Sequence, residues 1–456
     1  MHMKNLLPAT DENATNVLAT GRIGQLLVRY SVPAIIATAV QSIYNIIDRV
    51  FIGHGVGAMA ISGLAVTLPM MNLAAALGAM VGVGAGALVS IRLGEQREQE
   101  ADTILGNTLV LNVVLSILFS IFCFIFLDKL LFCMGASPET LPYAKQFIQV
   151  ILIGNVFTHV YMGLNNVMRA SGYPTKAMVT TLVTVAVNLV LAPLFIFAFH
   201  WGIRGAALAT ICAQMVGAGW ALLHFTRKQH TLRFQRGCFK PEMRIIREIF
   251  SIGMPSFIML FCASFVAVLV NLRLTRYGGD YAIGAFGIIN TLLSLFIMIA
   301  VGVNMGMQPI VGYNFGAGKF DRAIRAYRLA IGAATCITTC GFLMGEIFPR
   351  VVASAFTTDA ELIGQTVRGM RIAVLMLPIV GFQMVTSSFF QSIGKARIAI
   401  LLSLSRQILF LIPFLILLPL FWGLNGVWFA GPASDLTASM VTFFVLRAWL
   451  QRRAAE

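Results

Sequence analysis

Residues 227–247 read RKQHTLRFQRGCFKPEMRIIR, a polar stretch with basic side chains at Arg227, Lys228, Arg233, Arg236, Lys240, Arg244 and Arg247. It divides a chain that is otherwise almost continuously apolar. Six apolar runs precede it, at roughly residues 28–52, 61–91, 103–127, 143–168, 177–199 and 205–225. Six follow, at roughly 248–274, 281–312, 327–348, 363–390, 398–420 and 426–447. Each is long enough to cross a bilayer as a helix, and none alternates as a barrel strand must. Of all 456 residues, 58% are hydrophobic and 11% charged, less than half the roughly 25% charged residues of a soluble domain. The reading is an all-α polytopic membrane protein, with twelve transmembrane helices in two six-helix repeats around a central cavity. Residues 1–25 form an N-terminal tail, 26–226 an N-lobe, 227–247 a basic linker, 248–447 a C-lobe and 448–456 a C-terminal tail.

The chain carries 33 Lys and Arg against 18 Asp and Glu, a net charge of +15. In a soluble protein that excess would suggest nucleic acid. Here it follows orientation: with both tails and the linker in the cytoplasm, 23 of the 33 basic residues fall on the cytoplasmic side, as the positive-inside rule requires. The two sets of runs are also copies. Ser31-Val32-Pro33 aligns with Gly253-Met254-Pro255, Ala60-Ile61 with Ala282-Ile283, Gly94 with Gly316 and Gly172 with Gly394, all 222 residues apart. Trp201-Gly202-Ile203-Arg204-Gly205 aligns with Trp422-Gly423-Leu424-Asn425-Gly426 at 221. An even number of spans per copy makes both halves enter from the same side, so the axis relating them runs along the membrane normal.

Acids are scarce enough to weigh singly. Sixteen of the 18 fall in tails, polar connections or helix ends; only Asp48 and Asp435 lie within spans, where a charge costs a few kcal/mol and needs a partner or a wet cavity. Gln41, Tyr44, Asn45 and Asp48 are spaced i, i+3, i+4 and i+7, which sets an amide, a phenol, a second amide and a carboxylate on one helix face. Desolvation disfavours the charged form of a carboxyl, so such a group can exchange a proton under physiological conditions. Pro33, fifteen residues earlier on the same helix, removes a backbone hydrogen bond and permits a hinge. Asp435 follows Gly431 and Pro432, and its intramembrane countercharge candidate is Arg406. The halves differ chemically, because the counterpart of Asp48 is Val270. Gly316-Ala317-Gly318-Lys319-Phe320 fails as a phosphate loop, since Tyr313 stands at its first glycine position. The seven cysteines include no CxxC pair, so neither a disulfide framework nor a zinc site is expected.

The run Pro33…Gln41…Tyr44-Asn45-Ile46-Ile47-Asp48-Arg49-Val50-Phe51-Ile52-Gly53 resembles the multidrug and toxic compound extrusion (MATE) family, in its MepA-like and DNA-damage-inducible-like bacterial branch. So do Gln308-Pro309-Ile310-Val311-Gly312-Tyr313-Asn314-Phe315-Gly316-Ala317 and Trp201-Gly202-Ile203-Arg204-Gly205-Ala206-Ala207-Leu208-Ala209-Thr210. The likeness covers about residues 22 to 450. It implies export of cationic or amphipathic drugs in exchange for protons or sodium, with the two lobes opening alternately to each face. It also implies a first-lobe cation site on Asp48, Asn188 and Thr210, with Gln41 and Asn165 as nearby polar lining. One element departs from the pattern. Many members carry Asp four residues after the helix-five Asn, whereas this chain reads Asn188-Leu189-Val190-Leu191-Ala192-Pro193. Sodium at Asp48, Asn188 and Thr210 would then have one charge plus neutral oxygens, while a proton needs only Asp48, which favours proton coupling. The acid that some members carry on helix seven has no match in residues 250–272, leaving Asp435 and Arg406 as second-lobe candidates.

The expectation is therefore a secondary antiporter in the bacterial plasma (inner) membrane, both termini cytoplasmic, acting as a monomer. It would need no cofactor beyond its coupling ion, H+ or Na+. Its partners would be small cationic or amphipathic molecules and the lipid bilayer, not nucleic acid or a nucleotide. A flippase for lipid-linked saccharides is the alternative within the same superfamily; it would hold a diphosphate on several cavity cations, of which only Arg406 is a clear candidate. An intramembrane enzyme would need a nucleophile or metal motif, and neither HExxH nor GxSxG occurs.

Overall fold

Residues 17–227, 231–235 and 237–454 are described by the computed structural model. The expected N-terminal tail up to residue 16, together with Lys228, Arg236 and the last two residues, lies outside the described residues. The first six runs become α1 (Ile23–Gly55), α2 (Ala58–Gly94), α3 (Glu98–Ile125), α4 (Leu141–Ala170), α5 (Pro174–Pro193, continued by a wider turn over Leu194–Ala198) and α6 (Gly202–Thr226). The second six become α7 (Met243–Gly279), α8 (Tyr281–Gly316), α9 (Phe320–Ile347), α10 (Ala360–Val374 and Leu377–Ser392, bent by 48°), α11 (396–422, with a wider turn over Ser405–Leu411) and α12 (424–454). Helices α11 and α12 follow each other without a loop and are divided only at Gly423, whose φ is 53°. Counted with the bent pair as one span and the last long helix divided at Gly423, twelve spans form among the described residues. Most outrun the apolar stretches by several residues, because backbone hydrogen bonding continues after the side chains turn polar. Ile153, Leu223 and Phe421 stay more than half exposed, the mark of helices that meet lipid.

The duplication is visible in the backbone. Left-handed breaks fall at Gly57 and Gly279, Gln96 and Gly318, and Gly172 and Gly394, each pair 222 residues apart, and at Gly202 and Gly423, 221 apart. Short surface helices at Leu127–Cys133 and Pro349–Ser354 begin at the same interval. Among the described residues, the closest backbone approaches between the lobes lie at the end that carries the linker. A methyl group on Gly94 would collide with the Tyr313 carbonyl, and one on Gly316 with the Ile91 carbonyl, so this contact is made twice by equivalent residues. Gly84 against Gly253 and Gly306 against Ser31 form a second such pair of crossings. Ser90 and Gly312, themselves 222 apart, face each other, which places the pseudo-two-fold axis between them. Small residues here let backbones approach to van der Waals contact.

Ion pairs reinforce this end. Arg92 lies 2.9 Å from Glu95, 2.9 Å from Glu100 and, across the lobes, 2.8 Å from Glu248; Arg244 reaches back to Glu100 at 3.4 Å. The linker is pinned to α3. Asp102 accepts from the Arg233 backbone at 2.9 Å and from the Gln235 side chain, and Asn107 accepts from the Glu242 backbone at 3.0 Å. Asp102, which its neighbours Glu98 and Glu100 place in a polar connection, is instead buried at 4% exposure. Because α7 starts at Met243, the last five residues of the stretch read as linker are helical.

Candidate functional site

The polar face of α1 lies near the end opposite the linker. Tyr44 is buried there, and its hydroxyl sits 3.4 Å from Thr210 Oγ1 on α6. Asn188 on α5 donates from Nδ2 to the same oxygen at 3.2 Å, and Thr210 donates onward to the Ala206 carbonyl at 3.1 Å. Three helices are thereby joined at one hydroxyl. Asp48, one turn beyond Tyr44, is half-buried and within electrostatic reach of the Tyr44 hydroxyl. Its Oδ1 is buried without a hydrogen bond, and so is Asn188 Oδ1. Leaving a buried acceptor unpaired costs about 1–3 kcal/mol, more when it is charged. Arg49 is exposed and forms no ion pair with Asp48. The site therefore presents two oxygen acceptors beside a hydroxyl whose own bonds are used.

The remaining residues of interest fall elsewhere. Gln41 is half-buried and Asn45 exposed on α1. Asn165 donates to the Ala177 carbonyl at 2.9 Å and accepts from Arg169 at 3.2 Å. Ala177 precedes Asn188 on α5 by eleven residues, about 16 Å of helix, so Asn165 stands apart from the Thr210 cluster on the linker side. Arg169 is itself a buried residue that its position in the chain marks only as a cytoplasmic-face charge; it bonds to Asn165 and Asn166, one turn earlier. In the C-lobe, Arg406 Nε is 2.8 Å from Asp435 Oδ1, and Ser434 donates to the Arg406 carbonyl at 2.7 Å. Arg406 sits in the wider turn of α11. Pro33 is buried inside an unbroken α1, beside Ser31, which donates to the Val303 carbonyl of α8 at 3.4 Å. Ala192, where a second carboxylate would stand, is 1% exposed in an apolar cluster with Ile52, Ala60 and Ile196.

A duplicated bundle of membrane helices, with an unpaired intramembrane carboxylate in one lobe and a paired one in the other, defines a polytopic membrane transporter. The MatE family model matches residues 33–194 and 255–417, well over half of the chain, and each match opens on the paired proline. The chain belongs to that family, and is a transporter rather than an enzyme. It is 26% identical over 434 residues to "Multidrug export protein MepA" of Staphylococcus haemolyticus, covering 95% of each chain. The protein of that name from Staphylococcus aureus (strain MSSA476) is 28% identical over 426 residues, covering 92% of this chain and 93% of its own. Among solved structures, the fold is similar to the outward-facing conformation of a multidrug resistance MATE family transporter of the MOP superfamily, with TM-score 0.91, 24% identity, and coverage of 98% of this chain and 100% of that one. A MATE in the straight conformation is similar at TM-score 0.91 and 25% identity, with the same coverage.

Proposed function

We propose that this chain exports organic cations and amphipathic drugs from the bacterial cytoplasm in exchange for a cation taken up at Asp48, a proton in preference to sodium. The observation that carries this reading is the buried, unbonded Oδ1 of Asp48 beside the Tyr44–Thr210–Asn188 cluster. A proton on Asp48 removes the cost of the desolvated charge with no further ligand. Sodium would want several oxygens, but Thr210 already donates to Ala206 and accepts from Asn188, and the Ala192 position is apolar. The names of the relatives support the substrate class, and the basic linker end supports a cytoplasmic placement of both termini. In this reading the sealed linker end represents one of two states. Protonation of Asp48 far from that seal biases the lobes between opening outward and opening inward.

Proteoliposomes loaded with a cationic dye test this directly. An imposed proton gradient is expected to drive efflux, and Asp48→Asn is expected to abolish it while the purified variant keeps its unfolding temperature. Normal gradient-driven export by Asp48→Asn would remove the mechanism; efflux driven by sodium alone would overturn the choice of ion.

A further inference from the structure

Between the linker-end segments of α1, α5 and α6 lies a cavity of about 1270 Å³, separate from both the Asp48 cluster and the crossing of the lobes. Its three walls share one pattern. Along α1, Arg29, Val32 and Ile36 fall on one stripe at helical spacing, with Arg22 at the N-cap, basic toward the linker end and apolar deeper in. On α5, Lys176 occupies the first turn with Val179 below it, and Arg227 caps the end of α6 with Leu223 and Trp220 below. Each helix thus brings a cation to the rim and hydrocarbon to the depth. Among the described residues, no acidic side chain lines the cavity, and Arg22, Arg29 and Arg227 enter no ion pair. Leu223 is 66% exposed and Trp220 44%, so the deep part opens toward the acyl region.

A ligand suited to these walls is an anion with an apolar tail. The same charges repel the organic cations of the proposed transport reaction, so the cavity is not a second copy of that site. We propose that it binds an anionic phospholipid, with the phosphate held by Arg22, Arg29 and Arg227 and the acyl chains against Val32, Ile36, Leu223 and Trp220. Guanidinium groups suit the phosphate because their forked donors pair with two of its oxygens. The rim also coincides with the most basic end of the molecule, the end that would face the anionic leaflet of the membrane. Pro33 lines the cavity too, so the bound lipid abuts the proline of α1.

The test uses the full chain in neutral detergent, titrated with phosphatidylglycerol or phosphatidylcholine and followed by native mass spectrometry. One phosphatidylglycerol per chain is expected to bind about tenfold more tightly than phosphatidylcholine, a preference that Arg22→Gln with Arg29→Gln removes. The control pair Arg273→Gln with Arg276→Gln, at the opposite end, is expected to keep it. Equal affinity for the two lipids, or an unchanged affinity in the Arg22/Arg29 variant, would overturn the site. Inorganic phosphate separates a lipid from a free anion: it is expected not to displace the lipid at millimolar concentration, and displacement would discard phospholipid as the ligand. Brominated phosphatidylglycerol gives a readout that does not depend on the arginine variants. It should quench the wild-type fluorescence more than that of Trp220→Phe, and equal quenching would count against the proposal. Movement of labelled phosphatidylglycerol across the bilayer by the wild-type protein would make the cavity a transport entrance and would also overturn it. Binding requires no ion gradient and both leaflets are replaced by detergent, so failure here leaves the antiport reading untouched, and failure of that reading leaves this one standing.

Discussion

Thr210 Oγ1 is the atom at which the hydrogen-bonding side chains of α1, α5 and α6 meet. Replacing it with valine removes the acceptor of the Asn188 amide and the contact of Tyr44 together. One or two unmet buried hydrogen bonds at about 1–3 kcal/mol each are expected to lower the unfolding temperature by a few degrees and to slow dye efflux, measured by a thermal melt and a proteoliposome assay. Ala192→Asp tests the choice of ion from the other direction. It adds a carboxylate one turn from Asn188, and sodium-driven efflux is expected to appear beside proton-driven efflux; sodium indifference in that variant would show that the missing carboxylate does not select the ion. The polar stripe of α1 was legible in the sequence because helical spacing is local. Asp102 and Arg169 were not. Asp102 is buried by a linker about 131 residues away, and Arg169 by packing that leaves no mark on its neighbours.

Whole helices repeat that contrast. All twelve spans could be read from hydropathy, since a run of about 20 apolar residues has few other fates. The bend in α10 and the wider turns that extend α5 and interrupt α11 could not, because each is a change of backbone hydrogen bonding within an unchanged apolar pattern. The turn in α11 matters because it carries Arg406 to Asp435 of α12. Asp435→Asn leaves that half-buried intramembrane guanidinium without its countercharge, and a loss of about 3 kcal/mol is expected in reversible unfolding. Replacing both residues with leucine should recover most of it. If the double variant were no more stable than the single one, the pair would not be the principal partner of either group.

At the scale of the molecule, the closed end rests on backbone contacts made in duplicate. Gly94→Val and Gly316→Val are each expected to wedge the lobes apart there, and by similar amounts, since each meets the carbonyl of an equivalent residue. Ser90, 1% exposed, reports the opening. In a background without the native exposed cysteines, Ser90→Cys should be labelled by a polar maleimide faster in either valine variant than in the parent. Glu248→Gln is expected to raise labelling less, because it removes one of the three carboxylates around Arg92 and lies on the partly exposed rim. Unequal responses of the two valine variants would show that the seal is not symmetric in energy. The repeat itself was legible from five short matches in order. The contacts across it were not, since spacing along a chain does not say which copies touch.

Ser90 and Gly312 face each other across the axis. In an assembly of two identical subunits, a residue in that place meets its own copy, so any change is felt from both sides and neither partner can specialise. Joining the copies in one chain lifts that restraint: a hydroxymethyl group can be matched with bare backbone at the centre, and a carboxylate at 48 with valine at 270. The lobes can keep one shape for moving against each other while the first carries an unpaired carboxylate at Asp48 and the second only a carboxylate paired with Arg406.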